Sequence, residues 1–146
     1  MRIAFIILLL CSGWVNAHEI KPAYLKMIEN SEGFEVVWKQ PIREGVPVAI
    51  EPVFPGHCQE VSRGLGENTG MALVKRWVMD CGDDGLNQQT VVISGLNGSL
   101  ADVFVDIQFV SGNQQTAVLK PGSASLLIDA GATADNIGYF WLGVEH

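Results

Sequence analysis

Alternation with a period of two governs the middle of this 146-residue chain. Phe34, Val36 and Trp38 take one face of a segment whose other face carries Glu35, Val37 and Lys39. That is the pattern of a strand with one side on a core. Met71, Leu73, Trp77, Met79 and Cys81 share a face of a second run, interrupted by Lys75. Val103, Val105, Ile107 and Phe109 make a third, opposed by Asp102, Asp106 and Gln108. Shorter strand candidates are Tyr24 to Glu29, Val48 to Phe54, Thr90 to Ser94, Thr116 to Leu119 and Ala124 to Ile128. Turn chemistry separates them: Asn30-Ser31-Glu32-Gly33, Pro55-Gly56, Gly82-Asp83-Asp84-Gly85, Asn97-Gly98, Ser111-Gly112-Asn113 and Pro121-Gly122. Short strands at this spacing predict an all-β fold, an Ig-like antiparallel β-sandwich of about seven or eight strands. Trp38 and Trp77 are expected in its core. The likeness to antibody domains is one of architecture only, because Trp38 precedes both core cysteines and Trp77 stands just before the second.

The first seventeen residues have another character. Met1-Arg2 is a short positive start, Ile3 to Leu10 an unbroken apolar run, and Val15-Asn16-Ala17 a small-residue exit. This is the layout of a secretory signal peptide, and cleavage after Ala17 makes His18 the new amino terminus. Cys11 leaves with the leader, and Leu10 before it is too bulky for a lipid-attachment site. Cys58 and Cys81 remain as a pair in an oxidising compartment, where a disulfide is the default. A metal-thiolate site is the alternative, although the Cys-x-x-Cys spacing is missing.

Losing Arg2 lowers the basic count from 9 to 8 against 16 acids, a net charge of about −8. That disfavours nucleic acid, which needs clustered Lys and Arg, and docking on anionic lipid. Residues 18–129 are expected to form one extracytoplasmic sandwich domain, 130–136 a small polar linker, and 137–146 the start of a membrane helix. Ile137-Gly138-Tyr139-Phe140-Trp141-Leu142-Gly143-Val144 is apolar and aromatic but far short of the roughly twenty residues that span a bilayer. It reads either as a docking segment or as a membrane region cut off at its first turn.

His18-Glu19-Ile20-Lys21-Pro22-Ala23-Tyr24-Leu25 resembles the opening motif of one branch of the HupE/UreJ-type bacterial membrane proteins, the branch with an amino-terminal extracytoplasmic domain. Phe34-Glu35-Val36-Val37-Trp38-Lys39-Gln40-Pro41 is similar to its second strand, and Cys58 and Cys81 match its two cysteines. Ile93-Ser94-Gly95-Leu96 and Asp102-Val103-Phe104-Val105 resemble its later strands, and Tyr139 to His146 the start of its first membrane helix. The resemblance implies a periplasmic domain of an inner-membrane protein, a downstream membrane domain as its partner, and transport of nickel or a similar transition metal. In that family the helix carries His-x5-Asp-His, and His146 matches the first histidine.

Histidine is the natural ligand for nickel and copper. The chain has three: His18, His57 and His146. A processed terminal His18 can chelate copper through its α-amine and ring, with His57 completing a T-shaped set and Glu19 adding a carboxylate. The leading expectation is therefore a non-catalytic domain that collects a metal ion or gates a permease. The alternative is a metal-independent interaction module, and a copper oxidase stands third because no general acid-base set is present. Other motifs are weak. Gly64 to Gly70 lacks the helix of a dinucleotide fingerprint and reads as a hairpin loop, and Val91 stands where a calcium loop needs a carboxylate. Asn97-Gly98-Ser99 fits a glycosylation sequon but is first a hairpin turn. Amino-terminal sequencing of the exported protein should begin His-Glu-Ile-Lys-Pro; any other start would remove the N-terminal copper chelate.

Overall fold

A computed structural model of the protein describes residues 21–132. The leader, His18 and Glu19, and the segment 137–146 with His146 lie outside the described residues. The described chain is all-β apart from one 3₁₀ turn, Leu96–Gly98. Its strands, in chain order, are β1 (Ala23–Asn30), β2 (Gly33–Arg43), β3 (Val46–Pro47), β4 (Glu51–Val53), β5 (Gln59–Arg63), β6 (Glu67–Asn68), β7 (Ala72–Asp80), β8 (Thr90–Ser94), β9 (Val103–Gln108), β10 (Gln114–Leu119) and β11 (Ser125–Leu127).

Two sheets enclose one core. The larger runs β10-β9-β1-β2-β7-β5, with β3 paired to β2 and β6 to β7; the smaller runs β11-β8-β4. The three alternating runs become β2, β7 and β9, and their inward side chains meet those of β1 and β8. Leu25, Met27, Phe34, Val36, Trp38, Trp77, Met79, Val91, Ile93, Val103, Val105 and Ile107 are all buried in one cluster. Each large side chain in such a cluster contributes on the order of 1.5–3 kcal/mol through removal from water.

Side-chain links hold the sheets face to face. Gln40 is buried on β2, and its Nε2 donates to the carbonyls of Val48 (2.5 Å) and Ile50 (3.2 Å), fixing the segment that leads into β4. Lys75, which interrupts the apolar face of β7, pairs with Glu51 of β4. Its half-buried stem lets an ammonium sit at the margin of the core without losing its counter-charge. Trp77 is packed edge-on against Phe54 (6.2 Å, 75°) and carries the Arg63 guanidinium 5.1 Å from its ring centroid.

Four expectations change. The strands number eleven among the described residues, because β3, β5 and β6 carry no apolar alternation; β5 is exposed throughout. The sheet is not wholly antiparallel, since β1 pairs with β9 in parallel, Leu25 opposite Val105. On β7 the buried set is Ala72, Val74, Trp77 and Met79, continued by Cys81 just beyond it, whereas Met71 is 60% exposed. Register places Val74 between Lys39 of β2 and Glu67 of β6, on the face opposite Trp77, so the near end of β7 buries apolar groups on the other side. Finally, Asn97-Gly98 forms the 3₁₀ turn that leads from β8 toward β9 and not a hairpin.

Gly95 precedes that turn with φ 79°, and a Cβ there would overlap the carbonyl oxygen of Ala49. Gly98, two residues from the buried Leu96, has open space around it. Gly95→Ala should cost more than about 2 kcal/mol in urea unfolding, and Gly98→Ala no more than about 0.5 kcal/mol.

Candidate functional site

Strand directions sort the loops into two groups at opposite ends of the molecule. β1 and β9 run the same way from Ala23 and Val103, and β2 returns from Gly33 to Arg43. One end therefore gathers Lys21, the β2–β3 turn, Gly70-Met71, residues 95–101 and the Lys120–Ser123 turn. The other gathers residues 30–33, 55–58, 81–89, 110–113 and 129–132.

Cys58 and Cys81 are disulfide-bonded, as the cysteine arithmetic anticipates, with Cα atoms 3.9 Å apart. They continue the β5–β7 register one step beyond Gln59 and Asp80. The bond thus locks the end of a ladder within one sheet and does not bridge the two sheets. Next to it, His57 Nε2 lies 2.8 Å from the Gly85 carbonyl. A carbonyl only accepts, so Nε2 is the donor in this contact and Nδ1 takes no part in it. Asp80 Oδ1 accepts from the Gly82 amide at 2.8 Å, closing the turn that follows Cys81. On the β5 edge, the Arg63 guanidinium beside Glu60 holds its carboxyl below the usual range. That pair is exposed, so its contribution is small, present above the ordinary glutamate range and lost as pH falls through the lowered value.

The disulfide end is acidic. Its turns and the strand ends that lead into them carry Glu29, Glu32, Asp80, Asp83, Asp84 and Asp129, and no Lys or Arg among the described residues. The chain also leaves at this end: Asn113 Nδ2 donates to the Ala130 carbonyl (2.9 Å), and the Ala130 amide to Asn87 Oδ1 (2.9 Å).

Of the sequence-derived ligands, only His57 falls among the described residues. Its environment holds no group of three or more His, Cys, Asp or Glu side chains arranged around a metal, nor does any other place among those residues. Lys21, which contacts Met71 just before β7, and His57, beside Cys58 at the far end of that strand, stand at opposite ends of the larger sheet; His18 lies outside the described residues.

The Lys21 end holds a feature without a sequence signal, an open cleft of about 750 Å³. Its lining mixes apolar, charged and turn-forming residues scattered from Lys21 to Ala101. The one local clue is Glu44-Gly45, where two consecutive positive φ values (51° and 82°) make a tight hairpin with a glutamate in the left-handed position.

No family model matches the chain, and no curated protein matches it. Replacing both Cys58 and Cys81 with Ser opens a loop with a sequence separation of 23 and should cost about 3 kcal/mol of unfolding free energy. A loss below about 1 kcal/mol would mean that the β5–β7 ladder holds itself.

Proposed function

We propose that this chain is the extracytoplasmic, Ig-like sandwich domain of a HupE/UreJ-like inner-membrane protein, with a non-catalytic role in gathering cations for a nickel-type permease. The identity of the family rests on the resemblance of the ordered motifs from His18 to His146. The observation that carries the functional reading is the position of charge. Among the described residues, six carboxylates and no Lys or Arg surround the end from which the chain leads off at Ala132 toward the aromatic segment 137–144. If that segment enters a membrane, the acidic end faces the membrane, and a negative field raises local cation concentration there. His57 stands at the same end with Nδ1 unused by its carbonyl bond. The disulfide fits an oxidising, extracytoplasmic setting.

A second reading, a metal-independent interaction module, is favoured by the outer face of the larger sheet. Ile28, Val37, Val78 and Val118 are partly exposed there, and the three-stranded sheet lies on the other side.

Two measurements test the proposal. Reading the gene beyond the codon for His146 should give Asp-His at the five-residue spacing, followed by apolar runs of about twenty residues; a stop codon there sinks the permease. Nickel titration of the exported chain should weaken roughly fivefold at low salt when Asp80, Asp83 and Asp84 all become Asn. An unchanged titration in that variant selects the interaction module.

A further inference from the structure

We infer that the cleft at the Lys21 end is a binding site for a small amphipathic anion, a carboxylate or sulfonate on an apolar body. Its size falls in the range of small-molecule sites. Three large apolar side chains from three separate segments stand around the one opening. They are Val46 (65% exposed), Met71 (60%) and Leu100 (65%), a convergence that isolated surface hydrophobics do not show.

Charge chooses the ligand's head group. The three ion pairs among the described residues occupy Arg63, Lys75 and Arg76. Lys21 and Arg43, both lining the cleft, take part in none of them. Lys21 Nζ instead lies 2.9 Å from Met71 Sδ, a weak acceptor that leaves most of the ammonium's donor capacity unused. In a chain carrying about twice as many acids as bases, two cations left without a carboxylate partner on one cleft are complementary to an anion. The hairpin tip on the same rim holds Glu44 at φ 51° where glycine or asparagine would be relaxed. This site lies at the opposite end from the acidic turns, and its fate does not depend on whether nickel is bound.

The test uses the exported, disulfide-bonded chain and 1-anilinonaphthalene-8-sulfonate as fluorescent probe. Saturable enhancement is expected, with decanoate competing and decylamine not. The Lys21→Glu/Arg43→Glu variant should bind at least about tenfold more weakly, and Leu100→Asp should also weaken the probe. All three substitutions are at the surface, and an unchanged melting curve confirms the fold. Absence of saturable enhancement, displacement by decylamine as readily as by decanoate, or undiminished binding by the folded double variant overturns the inference.

Discussion

The structure depends on β2. This strand pairs with β1 over Gly33–Lys39 and with β7 over Phe34–Pro41 and sends Phe34, Val36 and Trp38 into the core. Its next inward residue, Gln40, is polar and buried, and it clips the chain at Val48 and Ile50 on the way to the smaller sheet. One strand thus organises both layers, by hydrophobic burial over most of its length and by amide hydrogen bonds at its end. Buried amide donors without partners are costly, so these bonds fix where the smaller sheet begins.

A second constraint is the parallel pairing of β1 with β9. It joins strands far apart in the chain and closes the larger sheet between its N-terminal and C-terminal portions. It also sets the polarity of the molecule, since the chain comes in at one end and leads off from the other. The two ends then differ in chemistry. The disulfide end is acidic and held by the Cys58–Cys81 bond and the His57–Gly85 contact. The Lys21 end is open, apolar at its rim, and carries cations without carboxylate partners. Binding residues are often carried on loops that rigid sheets hold in place, and here the loops divide into two groups of opposite charge.

Much of the core was legible because alternation is a local property. Tyr24 to Glu29 and Thr90 to Ser94 anticipate β1 and β8 closely, and the inward faces of β2 and β9 hold as read. On β7 Leu73 shares the face of Trp77 as read, but the buried Ala72 and Val74 were missed and Met71 is exposed, because neighbouring strands bury one side at the near end and the smaller sheet buries the other farther on. Edge strand β5 escaped notice because an exposed strand with a bulge between Glu60 and Ser62 has no apolar period to reveal it. The cleft was invisible for a related reason: its walls come from segments as distant as Lys21 and Ala101, and none has a pattern of its own.

The sequence by itself determined the all-β class, the inward tryptophans and the cysteine pair, since each follows from residue type and short-range spacing. Tertiary structure decided which strands are neighbours, that one pair is parallel, and that the disulfide closes a ladder within one sheet. It also separated Lys21 from His57 by the length of the long strands. These outcomes depend on long-range pairing and on which face a second layer happens to cover, and a one-dimensional pattern of side chains does not encode either until the chain has closed on itself.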